Sequence, residues 1–447
     1  MNLHRSYCAL GHQSVVALGR KVLGMSTVEV IPNDECRNVW VKTWASMLRR
    51  HDDGARQVRG AGRILRLIRD LGEPLRFVHD QLGMDDFDWP GTRRVVDMAR
   101  TQADVVHCHN LHGGYFDLRL LPELSRAAPT ILHLHDSWLT TGHCAIPLNC
   151  ERWESGCGAC PDLTLYPAVK RDATAFNWRA RKDIFSESKI FVAAPSKWLM
   201  DRTLRSLLAP AIVAHKVIPN GVDTQIFLPG DQQAARVALK LPADKIILLT
   251  VANGIRTNVW KDYKTLRKAL EILGEKPYAH NISVIALGEP AAKEKIGGLS
   301  IEFRPFSTDE KTVVQYYQAA DMYVHSAIVE SFGNTLLEAR ACGLPVVATA
   351  VGGVPEHVVS MRDDWLTGDE GVIVNSNEAS GLLVRPGDAI ALAGALDFGL
   401  NNVAVMNALG KNGRRIVVGR YSLAKQVAAF LTWYEEIIDK PASLGVE

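Results

Sequence analysis

The sequence predicts an α/β chain folded as two doubly wound, Rossmann-like lobes with a cleft between them. Three observations carry that prediction. Short apolar runs alternate with helical patterns along the chain, the signature of parallel sheets with crossover helices. The 447 residues, 47% of them hydrophobic, exceed one ordinary domain and supply material for two cores. Two successive helix starts, one after Val329–Gly333 and one after Gly352-Gly353 with Pro355 at a first helical position, fall on one sheet edge, where open parallel sheets hold ligands.

In chain order, the stretch around Leu3-His4-Arg5-Ser6 reads as a helix ending at Ala9-Leu10-Gly11-His12, and Val15 to Leu18 as a strand. Further strands are expected at 104–107, 130–135, 190–194, 216–218, 245–252, 282–287, 322–325 and 345–348. Ile218-Pro219-Asn220-Gly221-Val222-Asp223 is turn chemistry closing a strand, so the lobe boundary is placed there. The expected division is a first lobe over 1–217 containing a cysteine-rich loop at 139–163, a second lobe over 218–420, and a terminal segment 421–447 whose stretch 423–438 is an amphipathic helix.

The most informative run is Val329-Glu330-Ser331-Phe332-Gly333-Asn334-Thr335-Leu336-Leu337-Glu338, followed by Ala341-Cys342-Gly343-Leu344-Pro345. Its two carboxylates stand eight positions apart, the first in a loop and the second inside the helix which that loop feeds. A helix start leaves N–H groups unpaired and carries partial positive charge, so it attracts anions. A ligand with a diphosphate for the N–H groups and hydroxyls for the carboxylates would satisfy every group, and a sugar nucleotide is such a ligand. A plainer reading is also open: Thr335-Leu336-Leu337-Glu338 fits a capping box, in which Glu338 bonds back to the helix start.

The full run resembles the paired-glutamate signature of retaining glycosyltransferases of the GT-B fold, family four or "group 1", of the bacterial polysaccharide-assembly type. The resemblance is specific over 216–388 and looser over 107–197. It implies that Glu330 meets donor-sugar hydroxyls and Glu338 ribose hydroxyls. Backbone N–H groups of Phe332, Gly333, Asn334, Thr335 and Leu336, with Gly353 nearby, would lie on sugar and phosphate. It also implies that Arg256 and Lys261, in the loop after the 245–252 strand, neutralise the departing diphosphate, Arg256 standing about one position off the usual spacing. His135 in Leu132-His133-Leu134-His135-Asp136 matches a histidine that touches the donor sugar, with Asp136 orienting it. Ser196-Lys197 also resembles the family, and the last helix is expected to cross back onto the first lobe. Such enzymes open with a strand and a glycine-rich loop; here the chain starts in the first helix, so that strand is expected upstream of Met1 or missing.

The activity so implied is a hexosyltransferase moving a hexose, with retention, from a nucleotide-diphosphate sugar to a saccharide or lipid-linked acceptor in surface polysaccharide or glycoconjugate synthesis. Same-face attack, with the leaving phosphate oxygen taking the acceptor's proton, belongs to that resemblance. Two alternatives stay open: a non-hydrolysing sugar-nucleotide epimerase, and a catalytically weak relative that only binds the donor. No Asp-x-Asp run stands at a suitable strand end, so no divalent ion is expected in catalysis.

Cys144, Cys150, Cys157 and Cys160 are four of the eight cysteines and fall within seventeen residues, with Cys157-Gly158-Ala159-Cys160 a CxxC knuckle. A structural zinc on four thiolates is expected there, reduced buried cysteines and an iron–sulfur cluster being the alternatives. His107, His109 and His112 stand at another strand end, where acceptor contacts are expected; lacking carboxylates at helical spacing, they do not by themselves indicate a metal.

The formal charge of +2 leaves no nucleic-acid footprint. No export signal is evident and no apolar run reaches the roughly 20 residues of a membrane span. A cytoplasmic protein is therefore expected. Between Arg49 and Arg76, eight arginines stand against four acids while Val58, Ala61, Ile64, Leu65, Ile68 and Leu71 recur at helical spacing. Peripheral contact with anionic headgroups at the inner face of the plasma membrane is one expectation for 49–76, a solvated surface helix the other.

Overall fold

A computed structural model describes residues 2–20, 28–44, 70–95, 97–99, 103–367 and 378–439. Most of the basic 49–76 stretch lies outside these residues. The chain forms two compact units: Met1–Ala194, Leu199–Val217 and Leu431–Glu447 make the first, and Pro195–Trp198 with Ile218–Phe430 the second.

In the first unit, β1 (Val16–Leu18) and β2 (Val28–Val30) pair in parallel as a two-stranded sheet. A separate parallel sheet holds β3 (Val106–His109), β4 (Thr130–His133), β5 (Ile190–Ala194) and β6 (Ile212–Val217) in that order. Continuous apolar runs make these strands: every residue of β4 and β5 is buried, as expected of strands covered on both faces. The edge of β3 away from β4 carries no strand among the described residues. The opening helix runs Asn2–Ala9. The terminal helix, Leu423–Asp439, reaches this unit through its last turns, where Trp433 stacks edge-on against Phe191 and Glu436 pairs with Lys216 at 2.8 Å.

The second unit is built on a seven-stranded sheet. Its strands are β7 (Ile246–Val251), β8 (Ile282–Leu287), β9 (Glu294–Ile296), β10 (Leu299–Arg304), β11 (Met322–His325), β12 (Val346–Thr349) and β13 (Leu382–Val384), in the order β13-β12-β11-β7-β8-β10-β9. All pairings are parallel except the short β9–β10 hairpin. That hairpin, over 294–304, was not expected: Gly297-Gly298 joins two runs too short and too mixed in polarity to stand out. The order reverses between β7 and β8 on one side and β11, β12 and β13 on the other, which opens a crevice at the strands' carboxyl ends. Helices on the two faces close separate cores, one including Leu249, Tyr323, Leu336 and Val346, the other Leu248, Leu266, Val324 and Leu382.

The turn at Asn220-Gly221 is pinned inside this unit. The Gly221 N–H donates to Gln426 Oε1 at 3.0 Å, and Val222 bridges to Ser422.

Candidate functional site

The carboxyl ends of β7, β11 and β12 bring the expected residues of the second unit together. The loop after β7 holds Lys261 through a short helical turn, Val259–Lys261, capped by the Asn258 side chain. That loop is tied to the one after β11: Ser326 Oγ donates to the Lys261 carbonyl at 2.8 Å and the Ile328 N–H to the Trp260 carbonyl at 2.9 Å. These ties set Lys261 Nζ 2.7 Å from Glu330 Oε2. His325, at the end of β11, stands 3.6 Å from the same oxygen. Burial alone would push the Glu330 carboxyl up, but Lys261 and His325 outweigh it and hold the group well below the usual carboxylate range.

The helix that follows is Asn334–Ala341, and its start has no side-chain cap. Gly333 takes the cap position at φ 84°, a left-handed conformation suited to glycine. The capping-box reading is therefore excluded, because Glu338 lies in the second turn and meets a different partner. Its Oε2 accepts the Tyr317 hydroxyl at 2.7 Å. Burial pushes the Glu338 carboxyl up to about 7, against a smaller opposing effect of that hydroxyl. The two glutamates are thus electrically unlike, one a fixed anion beside a lysine, the other poised between acid and anion near neutral pH.

Across the crevice, the loop after β12 presses on the Glu330 loop. The Gly353 N–H donates to the Glu330 carbonyl at 3.1 Å. A Cβ at Gly352, whose φ is 52°, would sit 1.8 Å from the same carbonyl oxygen. Phe332 is buried, with its carbonyl accepting His357 Nε2 at 2.6 Å while His357 Nδ1 faces the buried Arg340 at 3.0 Å. Asn334 Oδ1 accepts the Asn220 amide at 2.9 Å, and Ser196 Oγ donates to the Ser331 carbonyl at 2.7 Å. Glu330, Lys261, Gly333, Asn334, Thr335, Leu336 and Gly353 therefore share one neighbourhood. Arg256 is otherwise engaged: its guanidinium binds Glu289 Oε1 at 2.8 and 3.0 Å and stacks over Phe303.

Sequence reading missed Tyr317, His325, His357 and Glu289. His325 was open to discovery as the polar end of the apolar run Met322-Tyr323-Val324. Tyr317 was not, because its helix meets Glu338 only through tertiary packing.

In the first unit, His135 belongs to a histidine cluster at the ends of β3 and β4. Its Nε2 lies 3.0 Å from His109 Nδ1. Asp136 does not orient it as expected: its carboxylate bonds His112 Nε2 at 3.0 Å and the Trp138 N–H at 2.8 Å. Burial pushes His135 below its ordinary value, and His109 and His133 well below it.

The four cysteines line one small cavity together with His143, Pro147 and Trp153. Gly158 and Ala159, at φ 141° and 46°, form the knuckle turn. The Gly142 N–H points to Cys157 Sγ at 3.2 Å, and His143 Nε2 lies 3.3 Å from Cys160 Sγ. Burial pushes the Cys144 thiol up to about 12 and the Cys157 thiol up to about 11, so without a cation these groups stay protonated. Four thiols are the donor type of a tetrahedral zinc, but among the described residues no three of these sulfurs lie within 4.8 Å of one another, so the loop would have to close on the ion.

An uncapped helix start, a lysine and two unlike carboxylates can receive an anion that also carries hydroxyls. Comparison with known proteins bears on this directly. The "Glycosyl transferases group 1" family model matches residues 231–416, and "Glycosyltransferase Family 4" matches 44–226. WcaC of Escherichia coli (strain K12), assigned to colanic acid biosynthesis as a glycosyl transferase, is 28% identical over 265 residues, 56% of this chain and 61% of WcaC. A D-inositol 3-phosphate glycosyltransferase of Kineococcus radiotolerans is 31% identical over 246 residues, 52% of this chain and 54% of that protein. The matches thus span little more than half the length of these relatives. Among solved structures, sucrose-phosphate synthase from Thermosynechococcus elongatus aligns with a TM-score of 0.59 at 19% identity, covering 98% of this chain and 92% of that one. Anabaena Alr3699/HepE in complex with UDP and glucose aligns at 0.55 and 15% identity, covering 95% and 100%. These alignments give the fold, two Rossmann-like lobes of the GT-B type. With each lobe matched by its own family model, the chain belongs to the group 1, family 4 glycosyltransferases.

Proposed function

We propose that this chain is a retaining hexosyltransferase that takes its sugar from a nucleotide diphosphate donor and delivers it to a saccharide or lipid-linked acceptor in the building of a surface polysaccharide or glycoconjugate. The observation that carries this reading is the placement of Lys261, Glu330 and the uncapped start of helix Asn334–Ala341 around one crevice. In this reading the donor's diphosphate lies on the helix-start N–H groups and draws Lys261 from Glu330 toward the phosphate, where it meets the charge that grows on the leaving group. Glu330 then faces sugar hydroxyls, and Glu338, charged by the approach of ribose hydroxyls, accepts their hydrogen bonds. Arg256 would have to leave Glu289 to reach the diphosphate, so Lys261 is the principal cation. The resemblance assigns His135 to the donor sugar. The leaving phosphate oxygen takes the acceptor's proton, and neither Mg2+ nor Mn2+ is needed for transfer.

Support for the donor class comes from Anabaena HepE, solved with UDP and glucose, and for the pathway class from the name of WcaC. Two accessory features complete the reading. The four cysteines hold a structural zinc that fixes the 139–163 loop, and the basic 49–76 stretch rests on anionic lipid. No single helix among the described residues is long and apolar enough to cross a membrane. The test is a thermal-shift screen of uridine and guanosine diphosphate hexoses: the donor stabilises the folded chain by mass action, by about 2.7 kcal/mol at a hundredfold excess over its dissociation constant, and so raises the melting temperature. A panel in which no nucleotide sugar moves the melting temperature would refute the reading.

A further inference from the structure

Parallel pairing of β3 and β4 sets His109 opposite His133 and His107 opposite Ile131. Side chains two positions apart on a strand share a face, so His107, His109, His133 and His135 all stand on one side of the sheet. Their rings are close: the centroid separations are 4.2 Å for His107–His109, 4.9 Å for His109–His133 and 4.3 Å for His133–His135. One ring nitrogen from each of His107, His109 and His133 lies within 4.8 Å of the other two. We propose that His107, His109 and His133 form a binding site for one divalent transition-metal ion, zinc in the first instance, with an open coordination position.

Two of the three imidazoles are held through Nδ1. His107 Nδ1 lies 2.5 Å from the Tyr434 hydroxyl, which in turn lies 3.0 Å from the Tyr7 hydroxyl. His109 Nδ1 lies 3.0 Å from His135 Nε2. With Nδ1 so engaged, Nε2 of both rings would be the nitrogen left for a metal, and an outer partner on the other nitrogen is what fixes a ligating histidine in place. Zinc–nitrogen bonds of about 2.0–2.1 Å put tetrahedral ligand nitrogens about 3.3 Å apart, so ring rotations closing each pair by up to about 1.5 Å complete the set. Three nitrogens leave the fourth position for an oxygen, from water or a hydroxyl. An all-imidazole set with no carboxylate selects zinc, cobalt, nickel or copper over Mg2+ and Ca2+. The site lies wholly in the first unit and does not depend on the transferase reading.

Titration of the full-length protein with Co2+ in excess Mg2+ tests the proposal, because cobalt on nitrogen gives visible bands without the near-ultraviolet thiolate charge transfer that the cysteine loop would produce. The expected result is a nitrogen-type spectrum that saturates at one Co2+ per chain beyond any taken up with thiolate-type absorption, and that is lost in His109→Asn and His133→Leu while any thiolate-type absorption persists. Tyr434→Phe, which keeps the ring and removes only the hydroxyl on His107, should weaken Co2+ binding about tenfold. Absence of nitrogen-type bands in the wild type, or bands unchanged in the histidine variants, overturns the proposal. Should those variants fail to fold, an unchanged cobalt affinity in Tyr434→Phe overturns it instead.

Discussion

Glu330 and Glu338 are the same residue type eight positions apart, yet their surroundings drive them in opposite directions. Glu330 keeps its charge because Lys261 Nζ is 2.7 Å away, so removing the lysine strands a carboxylate whose side chain is only 15% exposed. Lys261→Met should cost about 2 kcal/mol, at the low end for a broken pair because Lys261 itself meets solvent. The double variant with Glu330→Gln should recover most of that loss in urea melts without recovering activity; additive losses would show that the pair is not coupled. Glu338 behaves otherwise. Its carboxyl titrates at about 7 in the folded protein, against an ordinary value of 4.5 for an exposed glutamate. As pH rises the unfolded chain ionises first, so this group removes stability between those two values and its penalty is constant above them. Glu338→Gln should therefore be relatively more stable at about pH 8 than at about pH 5 in paired thermal melts, while donor affinity falls about tenfold. An identical pH dependence in variant and wild type would contradict the raised pKa. The spacing of the glutamates was legible in the sequence. Their charge states were not, because Tyr317, His325 and Lys261 come from distant parts of the chain.

At the scale of elements, the site depends on two loops pressed together at the carboxyl ends of β11 and β12. Apolar runs and glycines made those strands and the helix after them readable, since four or five buried residues between turn signals leave few alternatives. The β9–β10 hairpin escaped because short edge strands carry no such run. Contact between the loops concentrates at Gly352, where a Cβ would fall 1.8 Å from the Glu330 carbonyl oxygen. Gly352→Ala should cost on the order of 3 kcal/mol and abolish donor binding, because the backbone that presents Glu330 must move. Gly387 is the control: its φ is also positive, at 73°, but a Cβ there meets nothing within 4 Å. Gly387→Ala should cost about 1 kcal/mol and leave donor binding intact. Equal losses at the two positions in denaturant melts would mean that backbone conformation, not the loop contact, sets the cost.

For the molecule as a whole, alternation of strands and helices made two doubly wound units legible, and the Asn220-Gly221 turn marked the region where one passes to the other. The grouping of Pro195–Trp198 with the second unit was not legible, since it follows from hydrogen bonds such as those from Lys197 and Trp198 N–H to Glu356, both 2.8 Å. The cysteine-rich loop was visible as a cluster, whereas the histidine cluster required strand register to join 107–109 with 133–135. If zinc staples the loop, a strong chelator should lower the melting temperature by about 5 °C or more and Cys157→Ser should do the same without chelator; an unchanged melt with no bound metal would remove the zinc. Donor binding in the proposed function places a nucleotide diphosphate sugar in the crevice around Glu330 and helix Asn334–Ala341. Calorimetric titration of the full chain with the donor found by screening tests it most directly: saturable binding at one site, weakened about tenfold by Glu338→Gln and by Lys261→Met, is the predicted result. Binding of equal strength in all three proteins, or none to any nucleotide sugar, would contradict it.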